Sequence, residues 1–281
     1  MAMLIARHRQ LSLATPVVMG IVNVTPDSFS DGGLYASPER AFGHARRLVD
    51  EGAGIIDVGG ESTRPRALPV TAQQEMDRVV PVIERVAREL DVMVSVDTSD
   101  PAVIEAAVGA GAHLVNDVRG LRRPGALEAA ARSGAAVCVM HMQGEPGSMQ
   151  ENPTYVDVVD EVIAYLRSRV AACRVLGMDQ RSVLVDPGFG FGKTLAHHVQ
   201  LFNHLEAFQG VGAGLLVGVS RKSMIGAWTD RPVGERLAGS VAAAAIAASR
   251  GADIVRAHDV AATVDAVRTG AALRRTVESS S

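Results

Sequence analysis

The sequence predicts an α/β chain folded as a (β/α)8 TIM barrel, a single domain over residues 1–281 with its core at about 16–270. Three observations carry that prediction. Eight short apolar runs recur along the chain, nearly all of them end in polar or charged residues, and stretches of helical periodicity separate them. Short, non-alternating runs rich in β-branched residues suit parallel strands buried on both faces. Strict alternation of strand and helix favours a closed barrel over an open doubly wound sheet. The polar groups gathered after the strands put the active site at their C-terminal ends.

Taken in order, the first run, 17–22, leads into Asn23, and a polar stretch at 25–35 precedes a helix at 38–51 with Ser37 as N-cap and Pro38 in its first turn. Ile55 and Ile56 lead into Asp57, and a second polar stretch at 59–70 precedes a helix at 71–90. There Met76, Val79, Val80, Ile83 and Val86 recur at helical spacing across Pro81. The run 93–96 ends in Asp97 before a helix at 101–110, and Leu114-Val115 ends in Asn116-Asp117 before one at 124–133. The run 137–140 leads into His141 and a helix at 155–176, and 183–185 leads into Asp186 and a helix at 197–208. The last two strands, 215–219 and 254–256, end in Ser220-Arg221-Lys222 and His258-Asp259, with helices at 235–250 and 260–270. The stretches 25–35 and 59–70 are too long for plain connections and are expected to be mobile loops over the site.

Composition narrows the function. The chain is 47% hydrophobic and 21% charged with a formal net charge of −3, which gives no global nucleic-acid or anionic-membrane signal, so any anion must be held by a local cluster. No run approaches a membrane span, the first residues lack the apolar stretch of a signal peptide, and Cys138 and Cys173 both fall inside predicted elements. A reduced, cytoplasmic protein is expected.

Asp97, Asn116, Asp186 and Lys222 stand at four different strand ends, and together they offer acceptors and donors to a planar, nitrogen-rich ring. Any one of them alone would equally well cap the following helix; four together point to a pocket. A second set is basic or hydroxylic: Ser62-Thr63-Arg64, Ser220-Arg221-Lys222, and Arg256 with His258. The rim after the seventh and eighth strands is a frequent phosphate site in barrels. Asn23 offers a neutral oxygen to a Mg2+ ion that also carries phosphate oxygens. Gly188 to Thr194 (GFGFGKT) imitates a P-loop, but the first required glycine falls on Pro187, so its glycines are read as pocket floor, with Phe189 or Phe191 offering an apolar face. Met140, at a strand end, can stack on an aromatic ligand.

At these residues the chain resembles the dihydropteroate synthase family of folate biosynthesis. The motifs are the segment from Met19 to Gly33 (MGIVNVTPDSFSDGG), that from Asp57 to Pro65 (DVGGESTRP), Ser95 to Thr98, Asn116-Asp117, Met140 to Gly144, Asp186 to Lys193, Ser220 to Lys222, and Arg256 to Asp259. They run in order through about residues 16–265. The resemblance implies condensation of 6-hydroxymethyl-7,8-dihydropterin pyrophosphate with 4-aminobenzoate, with sulfonamides as inhibitors and a homodimer as the assembly. It implies that Asp97, Asn116, Asp186 and Lys222 hold the pterin between Met140 and Phe191. Asn23 would bind Mg2+; Thr63, Arg64, Arg256 and His258 would hold the pyrophosphate; Phe29, Pro65, Ser220 and Lys222 would form the aminobenzoate end. Asp97, Lys222 and Arg64 would carry the chemistry. One departure is Arg66, where the family commonly has glycine. A non-catalytic paralogue would be expected to lose loop or anion-site residues, and a methyltetrahydrofolate-binding methyltransferase has no need of the pyrophosphate set.

Overall fold

The computed structural model describes residues 3–25, 37–61, 70–145 and 147–278. Phe29, Thr63, Arg64, Pro65 and Arg66 lie outside them. The described chain opens with an antiparallel hairpin that the apolar pattern did not predict, β1 (Met3–Ala6) and β2 (Arg9–Ser12), turning at Arg7. Then follow β3 (Val17–Asn23), β4 (Ile55–Gly59), β5 (Met93–Asp97), β6 (Leu114–Asp117), β7 (Ala136–Met140), β8 (Val183–Asp186), β9 (Leu216–Gly218) and β10 (Ile254–Ala257). These pair in parallel in the order β8-β7-β6-β5-β4-β3-β10-β9, and a bridge between Val185 and Leu215 closes the ring. The closed barrel is the predicted one.

Strand parity divides the core in two. One set of side chains, including Val18, Ile56, Val58, Val94, Val96, Val137, Val185 and Val255, packs outward under the helices. The other set, Met19, Ile55, Met93, Leu114, Cys138, Leu184, Leu216 and Ile254, fills the lower barrel interior. Leu4, Ala6 and Leu13 join that inner cluster, so the hairpin plugs the N-terminal end of the barrel. Both strand faces are thus apolar over their lower halves, which is why the runs read as continuous rather than alternating.

The helices are α1 (Pro38–Asp50), α2 (Ala72–Glu89), α3 (Pro101–Gly109), α4 (Ala126–Ser133), α5 (Val158–Val175), α6 (Leu195–Asn203), α7 (Ser223–Thr229), α8 (Leu237–Ser249) and α9 (Val260–Glu278). Ser37 caps α1 as predicted, and Thr71 and Gln74 form a reciprocal capping box on α2. Pro81 sits on the solvent face of α2, where the unmade backbone bond is open to water, and the helix continues through it. Five departures from the expected helices appear. The helix expected at 197–208 breaks at His204 into α6 and a 3-10 turn, Leu205–Phe208. The helix expected from 124 starts only after Gly125, which is left-handed, and that expected from 155 starts after Asp157, whose carboxylate caps Val159 and Asp160. Short α7 was not foreseen. Gly270 does not end α9: a Cβ there would stand 2.2 Å from the Ala245 carbonyl oxygen, so the glycine lets α8 and α9 pack closely.

Candidate active site

Above the apolar lower layer the interior positions turn polar. The register places Asp57 beside Ser95, Asp97 beside Asn116, and Met140 beside Asp186. Asn23 lies level with Gly59, and Gly59 with Asp97. Because alternate residues share a face, Asp57 and Gly59 on β4, Ser95 and Asp97 on β5, and Cys138 and Met140 on β7 all point into the barrel. Its mouth is therefore lined by Asn23, Asp97, Asn116, Met140, Asp186 and Arg256.

Arg256 organises one side of this mouth. Its Nε donates to Asp57 Oδ2 at 2.6 Å and its Nη2 to Asp97 Oδ2 at 2.8 Å. Asn116 Nδ2 adds a bond to Asp57 Oδ2 at 3.1 Å, whereas the buried Asp57 Oδ1 has no hydrogen-bond partner among the described residues. Burial raises the Asp97 carboxyl to about 7, against the opposing pull of Arg256 and with the nearby Asp57 adding to the rise. Asp97 thus titrates near neutrality.

Lys222 governs the other side. Its Nζ donates to the Phe189 carbonyl at 2.5 Å and lies 4.8 Å from the centre of the Phe191 ring. Burial brings the ammonium down to about 8, with Asp186 opposing. Asp186 is itself raised by burial, against Lys222 and the Gly188 N–H, which donates to its Oδ1 at 2.7 Å. Phe191 packs with Val118, Met140, Met142 and Met149, forming an apolar wall beside the charged groups. Phe189 turns instead into the core against Phe202, which settles which of the two phenylalanines faces the pocket.

The predicted anion set is partly regrouped. His258 falls just beyond β10, and both its backbone N (3.2 Å) and its Nδ1 (3.1 Å) meet Ser220 Oγ, so Ser220 belongs with His258 rather than apart from it. Arg221 is drawn away: its guanidinium forks onto the Asp259 carboxylate, with Nε 2.9 Å from Oδ2. Its backbone is left-handed at φ 58°, and Ser240 Oγ accepts from its N–H at 2.9 Å. Arg236 donates to the carbonyls of Arg221 (3.1 Å) and Lys222 (3.4 Å), fixing the turn that carries Lys222.

Sequence reasoning passed over three groups. Asp57, completely buried, anchors Arg256; its signal was its position two residues before Gly59 on an inward-facing track. Asp117 takes bonds from Ser99 and from the backbone of Arg119 (2.7 Å) and Leu121 (2.8 Å), shaping the loop after β6. Lys193 lies in the motif set aside as a false P-loop, and it is buried.

Residues 19–258 match the model of the pterin binding enzyme family. The chain is 52% identical to the dihydropteroate synthase of Escherichia coli (strain K12) over 265 residues, 94% of each chain. Its fold superposes on the Yersinia pestis dihydropteroate synthase in a sulfonamide drug complex with a TM-score of 0.93, at 51% identity and covering 97% of this chain and 99% of that one. It superposes on the Xanthomonas albilineans dihydropteroate synthase in complex with 7,8-dihydropteroate with a TM-score of 0.85, at 44% identity, covering 98% and 99%. Near-complete coverage in both directions leaves no room for a different arrangement of the barrel, and the chain belongs to the dihydropteroate synthase family of pterin binding enzymes.

Proposed function

We infer that this chain joins 6-hydroxymethyl-7,8-dihydropterin pyrophosphate to 4-aminobenzoate, releasing pyrophosphate and 7,8-dihydropteroate. The observation that carries the reading is the convergence of Asp97, Asn116, Asp186 and Lys222 on one barrel mouth, beside the apolar wall of Met140 and Phe191. Carboxylates there meet the amino-pyrimidinone edge of a pterin with paired charge-assisted bonds, and Lys222 donates to its acceptor side. Arg256 and His258, with Thr63 and Arg64, receive the pyrophosphate. Ser220 and Lys222 take the aminobenzoate end, to which the family resemblance also assigns Phe29 and Pro65. In the reaction the methylene C–O bond breaks and its electron pair leaves with the pyrophosphate. The aniline nitrogen then forms the C–N bond and loses a proton to water. Asp97, charged, stabilises the positive charge that develops on the pterin. No strong general base is demanded, because the aniline nitrogen is already nucleophilic.

Among the described residues, no group of three or more His, Cys, Asp or Glu side chains could hold a metal ion. Asn23 still fits Mg2+ shared with substrate phosphate oxygens. A Cβ placed at Gly59 would stand 3.7 Å from both Asn23 Oδ1 and Asp97 Oδ2, so the glycine leaves a small polar recess between them. Asn23 would hold the ion, which when bound would supply charge neutralisation for the departing pyrophosphate.

The assembly is read as a homodimer through α6, α7 and α8, where Val199, Trp228 and Ile246 are each more than 40% exposed on one apolar groove. Light scattering should give twice the chain mass for the native protein and the single mass for Ile246→Asp; a native monomer would refute the dimer. Sulfonamides are read as competitors of 4-aminobenzoate. No helix among the described residues is long and apolar enough to cross a membrane, and the two cysteines are buried and unpaired, which supports a reducing cytoplasmic setting.

The decisive experiment mixes protein, Mg2+, the pterin pyrophosphate and 4-aminobenzoate, and follows dihydropteroate by mass spectrometry. Product that depends on both substrates is expected. Pterin binding without turnover would instead mark a non-catalytic relative.

A further inference from the structure

The turn from Gly188 to Gly192 presents five successive carbonyl oxygens, and each is taken by a side-chain donor. Lys193 Nζ donates to Gly188 O (3.0 Å) and Phe191 O (3.0 Å), Lys222 to Phe189 O (2.5 Å), Gln150 to Gly190 O (2.6 Å) and Tyr155 to Gly192 O (2.7 Å). Lys193 sits beneath the turn, 2% exposed, and its ammonium also meets His141 Nδ1 at 2.9 Å. Burial and the neighbouring ammonium hold the His141 ring neutral, down to about 2, so Nδ1 is free to accept. Within the turn itself only Gly188 O gains a backbone partner, the Phe191 N–H at 3.1 Å, among the bonds between described residues. Gly188 is left-handed at φ 73°, and a Cβ there would lie 1.9 Å from His141 O. A backbone this crowded needs its carbonyls bonded from inside, and an ammonium with three donors does so from one point.

We propose that Lys193 is a positioning residue of the pterin pocket: by clamping the carbonyls of Gly188 and Phe191 from below, it sets the Phe189 carbonyl and Phe191 ring on which Lys222 rests. The lysine of the false P-loop therefore serves the ligand without touching it. Burial lowers the Lys193 ammonium to about 7 against the pull of Asp186, so the clamp weakens as pH rises through that value. The inference rests on the pterin-pocket reading above.

The test is calorimetric titration with 6-hydroxymethyl-7,8-dihydropterin pyrophosphate of the native protein, Lys193→Met and Leu4→Ala. Leu4 lies in the hairpin plug at the far end of the barrel, so its variant reports the effect of lost stability alone. Lys193→Met should bind the pterin at least about tenfold more weakly while Leu4→Ala binds it as the native protein does. Equal affinity of native protein and folded Lys193→Met would overturn the role of Lys193 and leave the pocket reading intact. Failure of the native protein to bind would overturn the pocket reading itself. Should Lys193→Met not fold, Gln150→Ala and Tyr155→Phe release neighbouring carbonyls of the same turn. Each should weaken the pterin about threefold, and native affinity in both would overturn the proposal.

Discussion

Asp97→Asn is expected to lower kcat by on the order of a hundredfold or more, with pterin affinity changed by less than about tenfold. Asparagine keeps the size of the side chain and an oxygen for the Arg256 N–H, but it removes the charge that faces the developing pterin cation. The effect therefore belongs to turnover more than to binding. A near-normal kcat would remove Asp97 from the chemistry. The pH profile gives an independent check. A carboxyl is charged only above its own titration point, which burial brings to about 7 here, so kcat/KM for the pterin substrate should fall on the acid side below that value. The Lys193 ammonium is lost above about 7 and that of Lys222 above about 8, so the same profile should also fall on the alkaline side. Asp97→Asn should abolish the acid limb and keep the alkaline one. An acid limb that survives in the variant would assign it to another group.

Most of the barrel was legible because parallel strands bury both faces, and a run such as Ile55-Ile56 or 183–185 then stands out without any periodicity to decode. The site was legible for a related reason: polar residues at strand ends have little structural purpose in such a fold beyond capping, so Asp97, Asn116, Asp186 and Lys222 announce a pocket. What stayed hidden lacks a local signal. The hairpin strands are four residues each, joined at Arg7-His8 rather than at an Asn-Gly turn, and only the inner cluster reveals Leu4 and Leu13 as a plug. Gly270 reads as a stop, because a close helix crossing leaves no mark on a single helix. Once the P-loop reading fails, the sequence assigns Lys193 no role, because the carbonyls that satisfy it come from the shape of the turn and not from its side chains. Asp57 carries no local signal of its pairing, since its partner Arg256 is 199 residues away in sequence.

The Asp57–Arg256–Asp97 cluster carries the second large effect. Arg256→Met keeps the apolar stem and removes the charge, leaving two carboxylates facing each other in the barrel with Asp57 fully buried. Breaking a buried pair by removing one partner costs about 3 to 5 kcal/mol, because the remaining charge is desolvated without compensation. Asp57 is especially dependent on it, since its Oδ2 takes both Arg256 and Asn116 while Oδ1 has no partner among the described residues. Urea unfolding at pH 8 should therefore show Arg256→Met less stable than the native protein by about 3 kcal/mol. The sign of the pH dependence follows from linkage. Burial raises the Asp97 carboxyl and Arg256 opposes the rise, so without the guanidinium Asp97 holds its proton in the folded state at pH values where the unfolded chain, with carboxyls near about 4, has released it. Stability of the variant relative to native then recovers as the pH falls from 8 toward 5, through the raised folded-state value of Asp97. A penalty equal at both pH values would mean that Arg256 acts by packing alone. The double variant Asp57→Asn/Arg256→Met should regain part of the loss at pH 8, because one of the stranded charges is gone. Its activity should stay low, since the same guanidinium that neutralises the two carboxylates in this structure is the group proposed to receive the pyrophosphate.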